Sequence, residues 1–174
     1  MNAVAHPDAR PDLYRPGVGT VLASTWRVGT PERQRAAVEA IRTAWESREW
    51  PELGLLSYSV FIGTDGDTLL HYSQWTAEQA YEDFVRTYRD DRNAEIDAAV
   101  PGIERVELHR YALPHRSAAA AGTGALVHRS TDGTRVLDFA EWEGERAHVE
   151  WRAEDAPLGR VRRYAPALNL SAGA

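Results

Sequence analysis

A segment that occurs twice constrains this chain more than any other feature. Residues 60–84 (VFIGTDGDTLLHYSQWTAEQAYEDF) and 127–151 (VHRSTDGTRVLDFAEWEGERAHVEW) align without a gap at an offset of 67. From Thr64 to Phe84 seven of twenty-one positions are identical: Thr64/Thr131, Asp65/Asp132, Gly66/Gly133, Leu70/Leu137, Trp75/Trp142, Glu78/Glu145 and Ala80/Ala147. Others are close in character, as in Tyr72/Phe139 and Phe84/Trp151. Such a repeat means one structural unit built twice.

The unit reads as strand, turn, strand, helix. Asp65-Gly66 suits a tight hairpin, because glycine adopts the positive φ that such turns need. From Thr68 to Trp75, alternation puts His71, Ser73 and Trp75 on one face and Leu70, Tyr72 and Gln74 on the other. Thr76-Ala77-Glu78-Gln79 has the form of a capping box, with Ala80, Tyr81, Phe84, Val85 and Tyr88 following at helical spacing. Upstream, residues 19–28 read as a strand, and Thr30-Pro31 starts a helix with the stripe Val38, Ile41 and Trp45. Pro51 stops that helix, and 55–62 is the next strand. Pro101-Gly102 breaks the chain before a last strand at 104–113. The predicted order is β-α-β-β-α-β over residues 17–116. It is a ferredoxin-like α+β unit, with one antiparallel sheet and both helices on one face.

The second copy is truncated. Residues 125–170 supply a hairpin, a short helix from about Glu143 and a strand from near Arg160, whose RRYA echoes His109-Arg110-Tyr111-Ala112. No counterpart of the first helix exists, because residues 117–124 (SAAAAGTG) are too few and too small; they read as a linker. Residues 1–16, with three prolines and little apolar pattern, read as a disordered arm.

Composition removes whole classes of chemistry. The chain has no cysteine, which excludes disulfides, thiolate metal sites and cysteine nucleophiles. Its twenty basic residues are all arginine, so no lysine Schiff base can form. A net charge of −6 without a basic stripe argues against nucleic acid. The six histidines show no ligand spacing, and nucleotide loops and the G-x-S-x-G elbow are missing, so neither a metal nor a nucleotide is expected. No run is long enough to span a membrane and residues 1–16 form no apolar signal, so a cytoplasmic protein is expected.

Residues 18–113, above all the stretch PELGLLSYSVFIGTDGDTLLHYSQWTAEQAY with its Y-x-Q-W-x-x-E-Q-A-Y run from Tyr72 to Tyr81, resemble the antibiotic biosynthesis monooxygenase family. The second copy resembles it through the hairpin, Trp142 and the W-x-x-E-x-A pattern. The resemblance implies a dimeric α/β barrel, in which two ferredoxin-like sheets pack face to face and a pocket lies between sheet and helices. Here the second repeat is expected to supply the partner sheet, giving an intrachain pseudo-dimer; a homodimer is the other expectation. The resemblance also implies catalysis with no cofactor: no metal, flavin or haem. An aromatic polyketide, as an anthrone or phenol, loses a proton, passes an electron to O₂, forms a peroxide and loses water to give a quinone.

The family pattern names candidates. Trp75 reads first as core packing at the strand-to-helix corner, and it also matches the family's pocket tryptophan, an N–H donor to an oxyanion or peroxide. His71 stands where the pattern has Asn and shares a face with Trp75, where it suits a base. Tyr81 matches a pocket tyrosine and also belongs to the apolar stripe. The pattern's helical arginine falls near Asp97, with Arg92 close by. These give His71, Trp75 and Tyr81 as catalytic candidates and Trp26, Ser73, Phe84, Arg92 and Arg110 as substrate-binding ones. Arg27 reads as the outward neighbour of Trp26, and Tyr111 as lining the pocket or the sheet interface. The second-copy counterparts of His71, Trp75 and Tyr81 are Asp138, Trp142 and His148, read as scaffold. Competing functions are a polyketide cyclase or aromatase, and a non-catalytic ligand-binding protein. Haem degradation fits poorly, since VLASTWRV has no Asn and YRDDRNAEIDAAV no His.

Overall fold

The computed structural model describes residues 1–116, 126–142, 145–153 and 162–173. The first part runs β1 (Ala3–Ala5), β2 (Thr20–Arg27), α1 (Pro31–Glu46), β3 (Leu55–Gly63), β4 (Thr68–Trp75), α2 (Glu78–Phe84), a π-helical turn (Val85–Arg89), α3 (Asp90–Ala99) and β5 (Glu104–Tyr111). The second runs β6 (His115–Arg116), β7 (Leu126–Arg129), β8 (Arg135–Trp142), β9 (Glu145–Ala153) and β10 (Arg162–Ala172).

Strands β5-β2-β4-β3 form an antiparallel sheet in the ferredoxin-like order. The helix start at Thr30-Pro31 forms as read: the Thr30 hydroxyl accepts from the Arg33 amide at 3.2 Å. Its stripe Val38, Ile41 and Trp45 is buried against Leu22, Trp26, Val60, Leu69 and Trp75 of the sheet. The second helix begins one residue later than read. Ala77 is its N-cap and has no side-chain acceptor to offer; the Thr76 amide, which a capping box would pair with Gln79, donates instead to the Gly54 carbonyl at 2.9 Å. α2, the π turn and α3 are one continuous helix, since the joining residues all keep helical dihedrals.

The repeat keeps its hairpin but not its helix. Gly66 and Gly133 hold φ of +76° and +72°, and Asp65 Oδ1 and Asp132 Oδ1 accept backbone N–H groups just beyond each turn. After the second hairpin the chain forms strand β9 rather than the short helix expected from about Glu143. Ala147, Val149 and Trp151 recur with period two, and pairing to β8 and β10 satisfies the backbone on both sides. β10 continues to Ala172, passing Pro166 through a register shift where a proline is tolerated. Residues 117–124, read as the linker, lie outside the described residues. Their neighbours β6 to β9 join the same sheet, in the order β5-β2-β4-β3-β10-β9-β8-β7-β6.

That sheet curls until its ends meet. The Ala112 amide donates to the Arg129 carbonyl and the Thr131 amide to the Arg110 carbonyl, both at 2.9 Å. The face of the first sheet turned away from the helices is thereby covered. Val21, Ala23, Phe61, Leu70, Tyr72 and Tyr111 pack with Leu137, Tyr164 and Phe139. His128, fully buried, bridges the seam from Ala112 O (2.8 Å) to the Tyr72 hydroxyl (3.1 Å). Tyr111 therefore belongs to this interface and not to the helix side.

The expected disordered arm is a correction. Ala3–Ala5 pairs with the end of β10, the His6 ring bonds Ser171 Oγ at 2.7 Å, and the Trp50 amide donates to Met1 O at 2.7 Å. β9 leaves the end of β10 without a partner, and β1 fills that edge. No helix is long and apolar enough to cross a membrane among the described residues.

Candidate active site

Between the sheet and the helices lies a cavity of about 390 Å³. Its floor is the inward face of three strands: Leu22, Ser24 and Trp26 from β2, Tyr58 from β3, and His71, Ser73 and Trp75 from β4. The two-residue period puts each set on one side. The roof is Trp45 of α1 with Tyr81, Phe84, Arg89, Arg92, Asn93 and Ile96 along the continuous helix. Arg105 to Leu108 of β5 form the rim.

One wall is a line of rings with a guanidinium at each end. Arg105 lies 4.5 Å above Trp26, and Trp26 is 3.9 Å from the His71 ring. His71 is 5.8 Å from Tyr58, Tyr58 stacks on Trp45 at 4.7 Å, and Arg92 covers Trp45 at 4.7 Å. A cation over an aromatic face is attracted by the ring quadrupole, more so when desolvated. Arg105 is held by Asp97 at 3.0 and 3.1 Å. Arg92, 3% exposed, donates to Glu49 O at 2.9 Å, while its buried Nε has no partner. Burial lowers its pKa, with Arg48 adding to the effect, yet a guanidinium stays charged.

His71 is 3% exposed, with Nδ1 2.5 Å from the Tyr58 hydroxyl and Nε2 buried without a partner. Burial, helped by Arg105, pulls its pKa down to about 3. The ring is therefore neutral at physiological pH. Burial also raises the pKa of Tyr58, so the phenol keeps its proton. Trp75 donates its indole N–H to Ser73 Oγ at 2.8 Å, and Ser73 donates to Leu22 O at 3.3 Å. Tyr81 meets Trp75 edge-on at 5.4 Å; burial raises its pKa and Arg89 opposes the rise.

Two solved structures are similar to this chain. One is a monooxygenase from the gene ActVA-Orf6 of Streptomyces coelicolor, in complex with the ligand nanaomycin D. It is 29% identical over 62% of this chain and 96% of its own, with a TM-score of 0.44. The other is a provisionally assigned monooxygenase from Lactobacillus acidophilus, 8% identical over 88% of this chain and 78% of its own, with a TM-score of 0.40. No family model matches the sequence, and no curated protein does.

The cavity gathers seven of the eight candidates read from sequence: Trp26, His71, Ser73, Trp75, Tyr81, Phe84 and Arg92. Arg110 does not line it. It shares the inward face through its pairing with Leu22, but Glu78 (2.6 Å) and Glu82 (4.0 Å) of α2 draw its guanidinium away. Arg27 faces outward and pairs with Asp67 at 2.8 Å. Asp97 holds Arg105, and Arg89 and Arg92 are the helical arginines that line the cavity. Sequence reasoning missed Tyr58, Trp45, Arg89 and Arg105. Tyr58 and Arg105 carried a usable signal, as polar residues on strands paired with the inward-facing Ser73 and Trp26. The side chains of Asp138, Trp142 and His148 lie outside the described residues.

Proposed function

We propose that this chain is a cofactor-independent monooxygenase that oxidises an aromatic polyketide intermediate, anthrone or phenol to quinone. The observation that carries the reading is the ring-lined cavity whose buried, unpartnered polar atoms are His71 Nε2 and Arg92 Nε. Its volume is in the range of a small-molecule site. Its lining holds Arg89, Arg92 and Arg105 with one carboxylate, Glu107; Arg89 pairs with Asp90 and Arg105 with Asp97, so it is the buried Arg92 that favours an anion. The second repeat, packed on the reverse face, takes the place of a partner sheet and makes the chain a pseudo-dimer.

The residues act by binding and by charge. The aromatic substrate lies along the ring line and excludes water from it. The arginines make loss of the substrate proton to solvent easier, and His71 and Tyr81 donate to the oxygen that carries the resulting charge. The carbanion gives one electron to O₂, and the radical pair combines to a C–O bond. The peroxide takes a proton; loss of the second C–H and cleavage of O–O release water and leave the carbonyl. One CH₂ and one O₂ thus become one C=O and one H₂O.

The test is O₂ uptake and quinone formation from an anthrone with no added cofactor. Loss of one oxyanion donor costs about a hundredfold or more in kcat, so His71→Ala is expected to fall by about that factor. Absence of protein-dependent uptake would reject the oxygenase, and ring closure without O₂ consumption would identify the cyclase instead.

A further inference from the structure

We propose that Tyr58 is a positioning residue that fixes His71 as an Nε2–H donor, so that the cavity selects ligands presenting acceptor oxygens, as phenolates, enolates or quinone carbonyls. The inference rests on the cavity being the substrate site, and not on any step involving O₂.

The hydrogen-bond inventory carries it. The Tyr58 hydroxyl and His71 Nδ1 are 2.5 Å apart, so one of them holds the proton between them. An imidazole nitrogen is a better acceptor than a phenol oxygen, and a phenol is the better donor. If Nδ1 held the proton, the phenol hydrogen would lose this partner, and the Nε2 lone pair would also be buried unused. With the phenol donating, one group stays unanswered: the buried Nε2–H of His71, a residue of the cavity floor. Trp26 at 3.9 Å and Tyr58 on Trp45 at 4.7 Å hold both rings in place.

Arg92 makes the same demand from the other end of the ring line. Its terminal nitrogens reach Glu49 O at 2.9 Å and Tyr88 O at 3.4 Å, which leaves a buried Nε–H unanswered. The nearby ring N–H of Trp75 is already taken by Ser73. Among the described residues, both unpartnered buried side-chain nitrogens that belong to cavity-lining residues are then donors. A ligand that fills it must bring acceptors, and one that brings donors leaves two buried N–H groups unmet.

The test separates this from the oxygenase reading. In ¹⁵N-labelled protein, long-range ring correlations are expected to show His71 neutral with its proton on Nε2, and Tyr58→Phe to lose that single tautomer. Tryptophan quenching then gives Kd for 1,8-dihydroxyanthraquinone and for oxygen-free 9,10-dihydroanthracene. Tyr58→Phe is expected to weaken the first about tenfold and to leave the second within about twofold, as loss of one hydrogen bond would. A proton on Nδ1 in the unmodified protein, equal loss for both probes, or no binding of the quinone would each overturn the inference. Absence of O₂ uptake in the same preparations would sink the oxygenase and leave this inference standing.

Discussion

The indole N–H of Trp75 is hydrogen-bonded to Ser73 Oγ, two residues back on its own strand, at 2.8 Å. The donor that the family pattern offers to substrate is thus occupied, whereas the His71 ring presents an unpartnered nitrogen. Trp75→Phe is expected to lower turnover less than tenfold, well short of the loss in His71→Ala. It should cost about 1–3 kcal/mol of stability through lost volume in a buried position. Steady-state rates and urea unfolding of both variants check this. A folded Trp75→Phe protein without activity would return the indole to the chemistry.

The low pKa of His71 makes stability depend on pH. Its folded value, about 3, lies below its unfolded value of 6.5, so the unfolded chain binds the extra proton between them. Stability is fully present above about pH 6.5 and declines as pH falls toward 3. From pH 7 to 5 the loss is about 2 kcal/mol, approaching about 1.4 kcal/mol per pH unit. The window lies above the range where Asp65 and Asp67, whose pKa values are lowered, would titrate. Urea unfolding at pH 7, 6 and 5 should show this slope in the unmodified protein and lose it in His71→Gln. Equal slopes would mean that His71 is protonated in the fold.

Residues whose environment is set by neighbours in sequence were legible. Period-two alternation placed His71, Ser73 and Trp75 on the cavity side of β4 and Tyr72 on the other, and the Asp-Gly turns located both hairpins. Tertiary competition overrode the rest. Thr76 has a capping-box sequence, but its amide is taken by Gly54. Arg110 has the right face, but the acidic first turn of α2 captures it. The repeat argued for a helix after Trp142, where strands β8 and β10 were waiting to pair.

The two repeat turns give a paired test of one geometry in two settings. Gly66 and Gly133 share a positive φ, so alanine at either is strained by about 1 kcal/mol. At Gly66 a Cβ would also come within 3.1 Å of Pro31 Cγ at the start of α1, whereas at Gly133 nothing lies within 4 Å. Gly66→Ala is expected to cost about 2 kcal/mol and Gly133→Ala about 1 kcal/mol in urea unfolding. The reverse ranking would show that the second turn is packed more tightly than the first.

Closure of the sheet depends on His128. Its Nδ1–H donates to Ala112 O at 2.8 Å, and this leaves Nε2 to accept from the Tyr72 hydroxyl at 3.1 Å. His128→Leu removes both bonds and leaves a buried hydroxyl and a carbonyl behind, at an expected cost of about 3 kcal/mol. Adding Tyr72→Phe removes one of those orphans, so the double variant should be less destabilised than the sum of the singles by about 1 kcal/mol. The amides of Ala112 and Thr131, which bond across the seam, should exchange faster in His128→Leu, while those within β4 change less. Uniform acceleration across both would mean that His128 supports the whole fold and not this junction. Unchanged exchange would mean that the backbone bonds at Ala112 and Thr131 hold the second repeat on the first unaided.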